Sequence, residues 1–306
     1  MPLPDPSPSQ PFLDLDPNKI LLGKSGRLYL TNDNNRIIDQ TEGRFNLIPE
    51  DIDTWITRLE RRAEWARAHE AFYYYSVAPN THSLYPQYLP DGVVLSEDRS
   101  VRRIQKALAE RSTFRNYYYP VELLNAAGLA RDVAAPHDTH WSHYGAFIYL
   151  KNLLPLINKD VYLGEIDLDD FNITTRTLRG DLGVKCTPVM LADVELFELK
   201  NPKAIEVFNN KVRNTGNIRI FETADKSLPR AVIYRDSYLD VAASWLAGFF
   251  SRAVFIHQPG VDRHILDQEK PQVIISQQAE RYINNIPDDI ASPAAVHYDA
   301  YSQSRR

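Results

Sequence analysis

The chain has 306 residues, 43% of them apolar, which is enough to bury a sizeable core in one large domain. Its formal net charge of -5 leaves no basic surplus and excludes a surface that tracks nucleic-acid phosphates. Its single cysteine, Cys186, excludes an intrachain disulfide or a cysteine-built zinc cluster, and no run of about 18 apolar residues reads as a membrane span.

Taken in chain order, residues 1–16 are rich in proline, aspartate and serine and are expected to be disordered. They show no basic segment followed by an apolar one, so no signal peptide is visible, and either the protein is cytoplasmic or a leader has been removed. Residues 20–30, with Gly23-Lys24-Ser25-Gly26 at their centre, read as a hairpin. A phosphate-binding loop is rejected here, because Asn18 stands where its first glycine would be required. In residues 49–70, Ile52, Trp55, Ile56, Leu59, Ala63 and Ala66 recur at helical spacing, with Arg58, Arg61 and Arg62 as a solvated face.

Residues 72–78 form a β-branched and aromatic run closed by Pro79-Asn80, which predicts a buried strand. Helical spacing returns over 101–108 and again over 144–157, the second stretch opened by His137-Asp138-Thr139-His140-Trp141. Residues 158–225 hold short β-like runs, among them 194–199 and 218–222, and read as an insertion or an irregular sheet edge. A strand over 230–234 leads through Arg235-Asp236-Ser237 into a helix whose buried face is Ala242, Trp245, Leu246, Phe249 and Phe250. Strands over 253–257 and 272–276 follow, and the tail 291–306 is expected to be disordered, leaving 17–290 as the folded domain. Strands alternating with helices predict an α/β three-layer sandwich around a mostly parallel sheet.

In such sheets ligands bind beyond the carboxyl ends of the strands. Ser237 follows a strand and starts a helix, so its hydroxyl can enter a crevice while nearby N–H groups and the helix dipole face an oxyanion. A serine hydroxyl needs a base to become nucleophilic. His140 supplies one, and Asp138, two residues before it, can hold one ring nitrogen while the other faces Ser237.

Gly23 to Leu30, the Val77-Ala78-Pro79-Asn80 segment running to Tyr85-Pro86 and Leu89-Pro90, Asp138-Thr139-His140-Trp141 to Gly145, and Arg235-Asp236-Ser237 together resemble the SGNH-hydrolase-like domain of the alginate O-acetyltransferase (AlgX/AlgJ) family. Gly180-Asp181-Leu182-Gly183 and Glu280-Arg281 are also similar, and the resemblance spans residues 20–285. It implies a circularly permuted motif order, with Asp138 and His140 ahead of Ser237. It further implies transfer of an acetyl group through an acyl-serine to hydroxyls of a polysaccharide or other glycan. The donor group would be delivered by a membrane-bound O-acyltransferase, no cofactor would be held by this chain, and the location would be periplasmic or otherwise extracytoplasmic. Gly260 would stand in the place of the esterases' oxyanion glycine, and Gln277 or Gln278 in that of their asparagine. Arg235 replaces a common glycine, while Tyr238, Asn80 and the loop residue Tyr85 complete the expected substrate and oxyanion positions.

Three other readings are weighed. The same triad would serve a carbohydrate esterase, with water as acceptor. The fold could also serve a non-catalytic glycan-binding or assembly module, with Tyr85 and Tyr88 as better sugar contacts than Tyr73 to Tyr75 or Tyr117 to Tyr119, which read as core. A metal cluster of His137, Asp138, His140 and His143 would leave the serine motif unexplained. His82, His257 and His264 lie near strand ends and could line the crevice, and Cys186 reads as structural.

Overall fold

In a computed structural model, which describes residues 14–15, 19–31, 33–290 and 292–303, the apolar runs become strands of one seven-stranded sheet. In chain order these are β1 (Phe72–Ala78), β2 (Tyr117–Tyr118), β3 (Ala204–Asn209), β4 (Ile218–Thr223), β5 (Arg230–Arg235), β6 (Arg252–His257) and β7 (Val273–Ala279). Across the sheet they run β2-β1-β7-β5-β6-β4-β3. The first five are parallel, and β4 and β3 add an antiparallel edge.

Both faces of the sheet are apolar, because successive strand residues alternate sides and each side meets helices. Val232 and Tyr234 of β5, Val254 and Ile256 of β6 and Tyr73 and Tyr75 of β1 pack in one core with Trp55, Leu59 and Ile104. Helices α1 (Pro49–Ala68) and α2 (Ser100–Arg111) supply that layer. Ala231, Ile233, Phe255 and Ile275 face the other core, with Phe147, Leu150 and Trp245 from α3 (His143–Ile157) and α4 (Ala243–Ala247). Each such buried side chain contributes about 1.5–3 kcal/mol, so this two-sided alternation holds the three layers together.

Arg62 departs from the solvated face expected of it. Its guanidinium is buried, donating to both Asp289 carboxylate oxygens at 2.6 and 3.1 Å and to the Tyr73 hydroxyl at 2.9 Å. The segment after β7 crosses this side of α1 and brings the carboxylate with it. Tyr73 to Tyr75 are core, as their strand position implies.

Residues 158–225 contribute two separate pieces of structure. Phe171–Arg179 and Leu191–Leu199 pair antiparallel as a two-stranded arm outside the sheet, whereas β3 and β4 form the sheet edge. The tail corrects the expectation of disorder over 292–303. There α5 (Ala295–Gln303) packs onto the sheet edge, with the Tyr298 hydroxyl donating to Glu269 at 2.6 Å and the Tyr301 ring tilted against Phe208 at 4.4 Å. Asp14–Leu15 pair with Cys186–Thr187, while residues 1–13 and 16 lie outside the described residues. Among the described residues no helix is long and apolar enough to cross a membrane.

Candidate active site

The parallel strands β5 and β7 end side by side, and the loop before α3 folds over their carboxyl ends. Asp138 lies in that loop. Its Oδ1 accepts the backbone N–H of His140 at 2.9 Å and the ring Nδ1–H of the same residue at 2.8 Å. With Nδ1 protonated, Nε2 is the acceptor, and it lies 2.8 Å from the Ser237 hydroxyl. Asp138 Oδ2 accepts the N–H of Asp181 at 3.0 Å, so both carboxylate oxygens are held. The indole N–H of Trp141 donates to the Tyr238 carbonyl at 2.6 Å, locking the histidine loop to the serine turn.

Asp181 is a functional-site residue that was not singled out as one in the sequence. Its carboxylate accepts from the Thr139 N–H at 2.8 Å and the Thr139 hydroxyl at 2.5 Å, and one oxygen is 3.8 Å from His140 Nδ1. Burial disfavours a charged His140, but the hydrogen bond and charge of Asp138, and then the charge of Asp181, outweigh it and hold the imidazole pKa above its ordinary 6.5. Burial pushes the Asp138 carboxyl up, and its hydrogen bonds with His140 and the Asp181 N–H more than reverse this, so it stays ionised.

For a reaction that uses neutral His140 as base, kcat/KM therefore rises with pH through a midpoint on the alkaline side of 6.5. Asp181→Asn removes a negative charge that favours the imidazolium, and the midpoint moves to lower pH. A pH–rate profile of ester turnover checks this, and an unmoved or alkaline-shifted limb contradicts it.

Gly180 is what lets the Asp181 loop come so close. A Cβ there would lie 2.0 Å from the His137 carbonyl oxygen and 2.9 Å from the Asp138 amide nitrogen, both backbone atoms. Gly180→Ala is expected to cost about 1–3 kcal/mol by overpacking and to displace Asp138, lowering both the denaturant midpoint and activity. A variant with unchanged midpoint and activity would refute that account.

Ser237 opens a single 3-10 turn, Ser237–Asp240, rather than the helix expected, and α4 begins only at Ala243. The turn is too short for a helix dipole to matter, so electrostatic help must come from individual donors. Asp236 organises them. Its carboxylate accepts the Tyr238 N–H at 2.9 Å and the Ala279 N–H at 2.6 Å, and its own N–H donates to Gln277 Oε1 at 3.2 Å. That last bond fixes the Gln277 amide with oxygen toward Asp236, and its Nε2, buried, has no hydrogen-bond partner among the described residues. Ser237 and Gln277 line one cleft of about 370 Å³ with Arg235, His257, Gln278 and Asn285.

The other expected positions divide. Arg235 reaches the cleft, but its guanidinium is buried against Asn217 Oδ1 at 2.7 Å, His257 Nδ1 at 3.1 Å and Asp240 at 2.9 Å. Gln278 is satisfied structurally, accepting from Tyr75 at 3.0 Å and donating to the Tyr282 carbonyl at 2.8 Å. Tyr238 is buried, its ring 5.0 Å from that of His140 and its hydroxyl donating to the Thr139 carbonyl, which makes it a support for the histidine loop. Asn80 sits behind the site, its N–H donating to Glu280 at 3.0 Å and its Oδ1 accepting from the Arg281 N–H at 3.3 Å. Gly260 does not line the cleft; its carbonyl accepts from Gln258 at 3.0 Å.

Tyr85 is not a sugar contact. Its ring is buried under Arg27, and its hydroxyl takes the Val133 N–H at 2.8 Å and donates to Asp132 at 3.1 Å. Of the three further histidines, His257 lines the serine cleft, His264 pairs with Asp299 at 2.8 Å, and His82 is buried, with burial pushing its pKa down to about 4. The four-residue metal cluster does not assemble: His137 and His143 do not come within ligand spacing of Asp138 and His140, and His143 Nδ1 accepts the Phe197 N–H at 3.1 Å. Among the described residues the group with metal-ligand spacing is Asp138, His140 and Asp181, whose ligand atoms lie within 4.8 Å of one another.

No protein-family model and no curated protein matches the chain. Solved structures do. PatB1 of Bacillus cereus aligns over 87% of this chain and 97% of that one, with a TM-score of 0.64 at 12% identity. The O-acetyltransferase domain of Pseudomonas putida AlgJ aligns over 94% and 100%, with a TM-score of 0.57 at 16% identity. A DHHW family protein from Eubacterium siraeum DSM 15702 aligns over 88% and 96%, with a TM-score of 0.58 at 13% identity. At these identities the likeness is one of fold, and the chain has the SGNH-type fold found in the AlgJ domain.

Proposed function

We propose that this chain is a serine-dependent O-acetyltransferase that carries an acetyl group on Ser237 and passes it to a hydroxyl of a polysaccharide or other glycan. The observation that carries the reading is the continuous Ser237–His140–Asp138 line, 2.8 Å at each joint, at the mouth of a cleft beyond the strand ends. The fold shared with an O-acetyltransferase domain agrees with it.

The reaction follows from the hydrogen bonds. His140 Nε2 takes the Ser237 proton as Oγ bonds to the acyl carbonyl carbon, and the carbonyl π electrons move onto oxygen. Asp138 holds the tautomer and steadies the imidazolium. The developing oxyanion meets two donors, the Ser237 N–H, which begins the turn, and Gln277 Nε2. Collapse breaks the bond to the leaving oxygen, which departs with the proton from His140. A glycan hydroxyl then gives its proton to His140, attacks the acetyl-serine and releases Ser237 by the same steps in reverse. The acetyl donor is brought by a membrane-bound acyltransferase, so this chain holds no cofactor in the cycle, and a polysaccharide acceptor places it outside the cytoplasm.

Mass spectrometry after incubation with p-nitrophenyl acetate tests this. A mass gain of one acetyl group on the Ser237 peptide is expected, and a folded protein left unlabelled there would overturn the reading. Release of that acetyl group to water alone, whatever glycan is supplied, would make the protein an esterase.

A further inference from the structure

We infer that the groove between the antiparallel arm and the start of α3 is the acceptor subsite, where the pyranose whose hydroxyl is to be acetylated lies; this rests on the acyl-serine reading above. Ser237 and His140 open onto different spaces. Ser237 lines the cleft with Gln277 and Arg235, whereas His140 lines a separate groove of about 250 Å³ whose far wall is the arm. A general base must lie within about 3 Å of the hydroxyl it deprotonates, so the attacking alcohol stands against the imidazole. The body of its sugar then extends into the free volume on that side.

The walls of the groove have the chemistry of a sugar ring's two aspects. Register sets Leu178 opposite Ala192, and Val194 and Leu196 follow at intervals of two on the same face. All four line the groove as an apolar strip, and Leu178 is 42% exposed, with the fold packing nothing over it. Beside the strip stand hydrogen-bonding groups. His143 is kept neutral by burial and accepts the Phe197 N–H on Nδ1, so its proton is on Nε2 as a donor. His140 stands at the same end of the groove. A pyranose presents C–H faces and a hydroxyl rim, and would satisfy both kinds of wall; an acyl chain would leave the polar groups unpaired. The arm is held in place at the reacting centre, since Gly180-Asp181 at its base is tied to Asp138.

The test separates the two half-reactions. Wild-type protein is acetylated with p-nitrophenyl acetate, and the lifetime of the acetyl-enzyme is measured in buffer and with cellotetraose, chitotetraose or tetragalacturonate. At least one probe is expected to shorten that lifetime. In Val194→Trp, which fills the groove from a solvent-facing ribbon, acetylation and hydrolysis by water stay within about twofold of wild type, while the acceleration by glycan falls about tenfold or more. Leu178→Ser weakens the same acceleration by removing apolar wall without adding bulk. The inference is overturned if the acceleration survives both changes, if all three rates fall together, or if no probe shortens the wild-type lifetime. Failure of the underlying reading looks different, because Ser237 would then remain unacetylated before any glycan is added.

Discussion

Ser237→Ala leaves no acetyl-enzyme and lowers p-nitrophenyl acetate turnover by about 10³-fold or more, and His140→Ala does so by a similar factor. The reason is mutual dependence. A serine without its base keeps a proton that blocks attack, and a base without its serine has nothing to activate. The double variant is therefore expected to be no slower than either single one, because groups that act as a unit are lost together. Thermal midpoints should stay close to wild type, since the partly buried Ser237 hydroxyl makes a single side-chain hydrogen bond among the described residues, to His140. Losses that multiply in the double variant, or a label that persists in Ser237→Ala, would dismiss the assignment.

Gln277→Glu is expected to reduce kcat by about 10²–10³-fold, or about 2.7–4 kcal/mol of transition-state stabilisation, with little change in KM. The substitution is nearly isosteric and keeps an oxygen to accept the Asp236 N–H, so the turn that carries Ser237 stays anchored. What changes is the other terminus of the side chain, where a buried donor without a partner among the described residues becomes a carboxylate oxygen, which would repel the oxyanion that this donor is proposed to bind. Because that charge exists only in the transition state, the loss falls on the chemical step. Stopped-flow measurement of the acylation burst separates it from binding. Wild-type acylation in this variant would remove Gln277 from the mechanism.

Residues whose local chemistry and long-range role coincide were legible in the sequence. The run from Phe72 to Ala78 is β-branched and aromatic and is buried on both faces, and the spacing of Ile52, Trp55, Ile56 and Leu59 belongs to a helix lying on a sheet. Asp138, His140 and Ser237 stood out because each falls at a loop beyond a strand or before a helix. The arm was only half visible, because Phe171–Arg179 is exposed along most of its length and has no buried side to impose alternation. Asp181 was visible only within the Gly180–Gly183 resemblance and carried no role, because its value lies in a contact with Thr139 across a loop that nothing local specifies. The tail misled through composition. Pro293 and the polar residues around it suggest disorder, yet Tyr298 and Tyr301 bury their rings and hold the helix. Tyr85 misled in the opposite sense, a loop aromatic that serves as a buried brace.

The strand order also bears on how the protein is made. β5, which carries the serine turn, sits between β6 and β7, and β7 is in turn the neighbour of β1 from far earlier in the chain. The last of the described strands in chain order thus closes the middle of the sheet, and it brings with it Gln277 and the Ala279 N–H that pins Asp236. Until that strand docks, Asp236 lacks the partners that fix the serine turn, so the geometry joining His140 to Ser237 waits on completion of the sheet.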